Sequence, residues 1–376
     1  MEYYIGKDYS LGGITLLCRF DGQRVTMASQ MSEADETVSS LYSVKSEQAT
    51  MLSFDTYNYL VHYFGQPQGS ISDDWNGTLG GDYEFIISSA SAERIELKGK
   101  KYGNRIVMKA LTEDQTWKQY LTKIKKVEDD AFFYEYDLLM DGLYTGQMLR
   151  SNYTFIVTYY DEIGKVHQKT VPFMFTADGL RFHEPVTIDG QTMQNFVWKN
   201  ELISFVCTDE GATGVKLAGV YTAGYQSYDY YPGTYQMDFY RLNDETGQLE
   251  VASQEVRLLK NEDGKSYWLK GLEYDILVMY DKPRGGLSVS PQLLEKVQGG
   301  YVYLAMWDVM NDYVLRGESI GLISYATTNG IYLVDNGVWM GEVSGFIFGV
   351  YNSQEEDAAF IGYTDAVASI RLLKKQ

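Results

Sequence analysis

Residues 153–198 read YTFIVTYYDEIGKVHQKTVPFMFTADGLRFHEPVTIDGQTMQNFVW, and the fold follows from how that stretch is parsed. Residues 153–160 and 166–175 are runs of β-branched and aromatic side chains on either side of Glu162-Ile163-Gly164-Lys165. Such side chains fit a pleated, half-buried surface, and Asp with Gly supplies the backbone angles of a tight turn. Asp178-Gly179 separates Phe173-Met174-Phe175 from Leu180-Arg181-Phe182, and Asp189-Gly190 precedes Phe196-Val197-Trp198. A strand then a turn, about every ten residues, is the cadence of an antiparallel sandwich or barrel; both give this alternation.

The cadence extends outward in both directions. Upstream it holds at 14–20 and 24–28, joined by Asp21-Gly22, and again at 83–88 and 94–97. Downstream it pauses at the polar, glycine-bearing stretch 209–214 (DEGATG). It resumes at 236–242, 251–259, 267–269, 274–280, 301–307, 319–325, 330–334, 345–351 and 366–373. The expected fold is mainly β: two antiparallel β-sandwich or barrel-like domains, 1–209 and 210–376, with one amphipathic helix in the first. That helix is placed near 112–128. Thr112 and Gln115 make a capping box, Trp117, Tyr120, Leu121, Ile124 and Val127 recur at helical spacing, and Lys123, Lys125 and Lys126 sit late. A shorter helix is expected after Pro291, over 292–297.

Composition bounds the partners. Lys plus Arg is 32 and Asp plus Glu is 51, so the net charge is −19. That average field repels nucleic acid and gives no charge-driven hold on anionic lipid. One stretch runs basic, 98–105 (KGKKYGNR), and its glycines and Asn104 read as a solvated hairpin tip. Cys18 and Cys207 lie in apolar runs and read as buried free thiols, with a single bridge left open. Residues 1–5 already read as a strand, so a trimmed chain is expected.

No nucleophile elbow, phosphate loop, dinucleotide fingerprint or zinc motif is present, so no cofactor or metal is expected. The oxygen-rich loops 73–77 and 261–264 lack the ligand alternation of a calcium loop. Asp55, Asn58 and His62 form the densest polar cluster beside apolar residues. It reads as an acid–base or ligand-holding group, or as a turn cap beside a strand histidine. His167 and His183 read as surface residues near hairpins. The aromatic signal is stronger. Residues 221–235 (YTAGYQSYDYYPGTY) hold six tyrosines, and tyrosine gives contact area at low entropy cost. Tyr225, Tyr228, Tyr230 and Tyr231, with Trp339 at a hairpin end, are the candidate ligand-binding residues; alternatively the tyrosines are core and edge cover. Trp307, within 304–307 (LAMW), reads as core.

Several segments, in order, carry a resemblance: Tyr3-Tyr4, 13–21 (GITLLCRFD), 52–58 (LSFDTYN), 62–64 (HYF), 81–85 (GDYEF) and 97–105 (LKGKKYGNR). Together they resemble domain-of-unknown-function family 4302, cell-envelope lipoproteins of the Bacteroides group. The likeness is strong over about 1–200. The resemblance implies a lipidated cysteine upstream of Tyr3-Tyr4, an outer-membrane location, and company with nutrient transporters; it supplies no catalytic residue. The expected function is a non-enzymatic cell-envelope lipoprotein binding a nutrient polymer, glycan or peptide, or an uptake-system partner. The alternatives are a structural subunit of an outer-membrane transporter complex, a calycin-like barrel with a hollow interior and the helix as lid, and a hydrolase with unpaired carboxylates.

Overall fold

The computed structural model describes residues 1–46, 49–66, 79–111, 115–161, 163–243, 245–355 and 357–375. Among these the chain forms two compact units, Met1–Val220 and Tyr221–Gln376. The choice between sandwich and barrel resolves to barrels.

The first unit holds two. β1 (Glu2–Ile5), β2 (Gly12–Asp21), β3 (Arg24–Ser29), β4 (Val38–Ser46), β5 (Thr50–Phe54), β6 (Glu84–Ala90), β7 (Arg94–Gly99) and β8 (Arg105–Lys109) pair each with the next. The ring closes where β1 meets β8, Tyr3 opposite Ile106. The second ring is β9 (Glu135–Met140), β10 (Leu143–Ser151), β11 (Thr154–Tyr160), β12 (Val166–Phe175), β13 (Gly179–Ile188), β14 (Gln191–Lys199), β15 (Ser204–Cys207) and β16 (Val215–Val220). It closes with Leu217 opposite Leu138. The stretch 209–214, read from sequence as a domain boundary, is the connection between β15 and β16, and the chain divides at Val220 instead.

The second unit runs β17 (Gly233–Asn243), β18 (Gln248–Lys260), β19 (Ser266–Lys270), β20 (Ile276–Asp281), β21 (Gly286–Val289), β22 (Gln292–Val297), β23 (Gly300–Asp308), β24 (Tyr313–Leu315), β25 (Leu322–Thr327), β26 (Gly330–Asp335), β27 (Gly345–Tyr351) and β28 (Phe360–Lys374). Eight of these again close a ring, β17-β18-β19-β20-β21-β25-β26-β28, with β28 returning to β17, Tyr235 opposite Lys374. The other four are additions to that plan. β27 pairs with β28, β23 with β27, and β22 and β24 lie in series along the far edge of β23.

Neither ring of the first unit is hollow. The first is filled by Tyr3, Leu16, Val25, Phe54, Phe85 and Ile106, with Phe85 edge-on to Tyr3 at 5.7 Å. The second holds Tyr136, Phe155, Phe173, Phe175, Phe182 and Phe205, with Phe155 stacked on Phe173 at 4.3 Å. An eight-strand ring is just wide enough for side chains to fill, and large aromatic ones fill it here. The calycin-like cavity therefore has no room.

The turn chemistry is partly as read. Asp189-Gly190 joins Ile188 to Gln191 with φ of 46° and 76°, the two-residue turn whose twist matches the strands. Asp178-Gly179 differs: Gly179 belongs to β13, and a Cβ there would lie 1.9 Å from the Phe196 carbonyl oxygen of β14. That glycine serves close approach of strands. α1 (Tyr59–His62) is a single turn, and α2 (Trp117–Asp130) is the amphipathic helix. Thr112 lies outside the described residues. The capping box is formed by Thr116 and Gln119, and Leu121, Ile124 and Val127 bury against the second ring's core. Residues 292–297 are strand β22, not a helix, because Leu293 to Val297 pair along β23.

His183 is not a surface residue. Leu180 and Phe182 of β13 fill the second ring, so Arg181 and His183 alternate outward, onto the first ring. Arg181 pairs with Glu2 of β1. The imidazole lies against Tyr4 and Tyr9, at 4.3 and 4.2 Å between ring centres, and its side chain is 6% exposed. Burial, reinforced by the Arg105 charge, lowers its pKa to about 4.

Candidate functional site

The sequence-selected tyrosines form a plug in the second unit. Tyr231 is buried, and its hydroxyl donates to the Gly285 carbonyl at 2.8 Å. Tyr228 stacks on Tyr267 at 4.7 Å and donates to the Ser266 carbonyl at 2.9 Å. Tyr225 accepts from the Tyr280 hydroxyl at 3.2 Å. Tyr230 alone of the four is exposed, under the Lys374 ammonium at 5.3 Å. These rings pack on one another, and three of the hydroxyls are engaged within the unit. Tyr231 in particular has no surface to offer a ligand. Trp339 is half-buried, not exposed. Its indole donates to Asp308 at 3.2 Å and its ring meets Tyr313.

The polar cluster separates into structural tasks. Asn58 caps α1, accepting from the Leu60 N–H at 3.1 Å and donating to Ser40 at 3.1 Å. His62 accepts from the Asn58 N–H at 3.1 Å and stacks on Tyr83 at 4.8 Å. Asp55 accepts from Ser53 at 2.7 Å and Lys45 at 3.1 Å, and the Ser53 bond chiefly holds its carboxyl below the usual range. The basic stretch 98–105 is the tip between β7 and β8, wrapped on the buried Asp82 carboxylate. That carboxylate accepts the N–H groups of Lys101 (2.7 Å), Tyr102 (3.1 Å) and Asn104 (3.2 Å). Trp75 and the loop 73–77 lie outside the described residues. In the other oxygen-rich loop, Asp263 accepts the N–H groups of Lys265 and Ser266, so its carboxylate closes a turn.

A larger cleft lies in the second unit, apart from the candidate ligand-binding residues. The outer face of β23, β27 and β28 forms one wall of a cleft of about 1260 Å³. Tyr303, Trp307, Tyr351, Phe360 and Tyr363 line it, with Arg316, Asp312, Glu318 and Gln354 around them. Strand alternation builds this wall. Val302, Leu304 and Met306 of β23 enter the core of the unit, which sends Tyr303 and Trp307 to the other face. The rings are pre-set against one another: Tyr303 edge-on to Tyr351 at 5.7 Å, and Tyr351 to Phe360 at 5.4 Å. The Arg316 guanidinium sits over Tyr303 and Tyr351, 4.8 and 4.2 Å from the ring centres, and donates to the Glu355 carbonyl at 2.6 Å. Burial raises the Tyr351 phenol pKa, and Arg316 opposes that rise.

Trp307 is 4% exposed, and its buried indole N–H has no hydrogen-bond partner among the described residues. Beside it the buried Asp308 carboxylate ties the turn after β23 to the 339–342 segment. It accepts from the Asn311 N–H (3.1 Å), the Asn311 amide (2.9 Å) and the Trp339 indole. The Asn311 bond is the main reason its pKa lies below the ordinary carboxylate value. Gly341 admits this clasp, since a Cβ there would fall 2.1 Å from Asp308 Oδ2. The sequence sign of the cleft was the run 301–307 (YVYLAMW), apolar on both faces of one strand.

A family model described as a domain of unknown function (DUF4302) matches residues 1–200. The chain belongs to this family. In this DUF4302 protein the match covers the first ring and most of the second. A second model, described only as a domain of unknown function (DUF4987), matches 208–348 and so takes in β23 and most of β27 but not Tyr351, Phe360 or Tyr363. No curated protein matches. Among solved structures there is a protein of unknown function from the DUF3598 family of Nostoc punctiforme. It is 9% identical, covers 65% of this chain and 98% of its own, and has a TM-score of 0.17, too low to carry an argument.

Proposed function

We propose that this DUF4302 protein is a non-enzymatic binding protein of the cell envelope that captures an extended nutrient polymer, glycan or peptide. The reading rests on one observation: the open cleft of about 1260 Å³ with five aromatic side chains on its lining. Concave, half-apolar sites with a few convergent polar groups are where proteins hold ligands. The cleft replaces the tyrosine-rich loop as the binding element. The lipid anchor and the outer-membrane location come from the lipoprotein resemblance, and labelling the native protein with a fatty-acid analogue in the producing cell tests them.

The capture reading is tested by screening the full chain against glycans and peptides, with hydrogen exchange to locate any hit. Protection of the amides of 351–363 on binding supports it; protection elsewhere, or no hit at high concentration, refutes it. A second reading, a structural subunit of an outer-membrane transporter complex, is favoured by a separate feature. Met310, Tyr313, Val338 and Met340 are exposed on two segments that Asp308 clasps together. Under that reading the full chain is retained by transporter components and by no polymer.

A further inference from the structure

Resting on the capture reading, we infer that the cleft takes a neutral glycan rather than a peptide or an acidic polymer. The first argument is hydrogen-bond supply. A peptide brings one N–H and one C=O per residue, and these must be paired when desolvated. The cleft wall is the face of a sheet, and the backbone groups of β23 and β27 are spent on their neighbours in its plane. β22, one of the two strands on the far edge of β23, reaches the cleft through Pro291, which has no N–H, through Gln292, whose amide bonds both the N–H and the C=O of Leu277, and through Leu293. Laid across the faces of β23 and β27, a peptide therefore finds no backbone ladder to join.

The second argument is the match of surface types. A pyranose offers C–H faces for aromatic rings and hydroxyls that both donate and accept. Tyr363 and Phe360, 36% and 44% exposed, present ring surface at the cleft. Asp312 and Glu318 are acceptors for hydroxyl protons. The third argument is charge. Between 221 and 376 there are 12 Lys and Arg against 21 Asp and Glu, a net of 12 − 21 = −9. At the cleft Asp312 and Glu318 face the one guanidinium of Arg316, which already lies on two rings. A polyuronate would meet repulsion on both scales.

The test titrates the full chain with neutral hexose and pentose oligosaccharides, a uronic-acid oligomer and a basic peptide of similar length. It does so for the parent, Tyr363→Ala and Phe360→Ala. Both alanine changes are at exposed rings, and circular dichroism checks that each variant keeps its fold. A neutral oligosaccharide should bind, and each alanine variant should weaken it about tenfold, the upper range for one aromatic contact. Tighter binding of the peptide or the uronate overturns the glycan inference and leaves capture standing. Neutral binding unchanged in both alanine variants also overturns it, because the site is then elsewhere. Binding of no polymer overturns both readings.

Discussion

His183 offers a quantitative test of the packing between the two rings of the first unit. Its ring is held between Tyr4 of β1 and Tyr9, with Arg105 and Arg181 as the nearby cations and Glu184 as the nearby anion. The folded pKa is about 4, against an ordinary value of 6.5. The folded state therefore prefers the neutral ring, while the unfolded chain takes up a proton first as pH falls. Stability is complete above the unfolded pKa, drains away between 6.5 and about 4, and falls no further below that. Linkage for a single site gives a loss of about 1.4 kcal/mol by about pH 5.5 and about 2.6 kcal/mol by about pH 4.5. Carboxylates elsewhere also titrate in this range, so the readout is a difference. His183→Phe keeps a flat ring between the tyrosines and removes the titration. Urea unfolding of parent and variant, followed by circular dichroism from about pH 8 to about pH 4.5, should show the variant gaining about 2.6 kcal/mol on the parent across the range. A difference that stays flat to within about 0.5 kcal/mol refutes the buried, neutral imidazole and with it the packed junction of the rings.

Three further outcomes are expected. Tyr3→Phe should cost about 2–3 kcal/mol in urea unfolding, because the Tyr3 hydroxyl both donates to the Asp82 carbonyl at 2.8 Å and accepts the Asp82 N–H at 3.0 Å, and both backbone groups are left buried. Trp307→Phe should be within about 1 kcal/mol of neutral: about 2 kcal/mol of apolar burial is lost with three ring atoms, but an unpaired buried N–H costing about 1–3 kcal/mol goes with them. A loss above about 4 kcal/mol would mean that the N–H is paired after all. The Arg371 guanidinium bonds Asp238 at 2.7 Å across the closing seam of the third ring and chiefly holds that carboxyl below its ordinary pKa. This contribution is present above about pH 4 and is lost as pH falls through the lowered value, so Asp238→Asn should flatten the acid limb of the stability profile.

Strands were legible because their cause is local. Alternation, β-branching and Asp-Gly turns act within ten residues, and Ile188 to Gln191 folds as its dipeptide predicts. Closure is not local. The pairings of Tyr3 with Ile106 and of Tyr235 with Lys374 join segments that no window of sequence compares, so barrel and sandwich looked alike. The same gap explains the site. The cleft draws on Trp307, Arg316, Tyr351 and Tyr363 from separate strands and connections. The tyrosine-rich loop drew attention instead because its rings are adjacent in sequence. Density of tyrosine marks a surface only if the hydroxyls face water, and those of Tyr228 and Tyr231 face backbone carbonyls.

The three rings argue for where function resides. An eight-strand antiparallel ring recurs three times, and all three are packed with large side chains. In the third, β22, β23, β24 and β27 are added to the plan, and β28 is long enough to serve both the ring and the addition. A strand added only for stability needs one buried face. β23 and β27 instead carry large apolar residues on both: Val302, Leu304, Met306, Phe346 and Phe348 face the core, while Tyr303, Trp307, Ile347 and Tyr351 face the cleft. Phe360 and Tyr363 keep ring surface in water at that face, which is costly without a partner. A ligand that covers them recovers that cost, and the added strands are the part of the chain shaped to receive it.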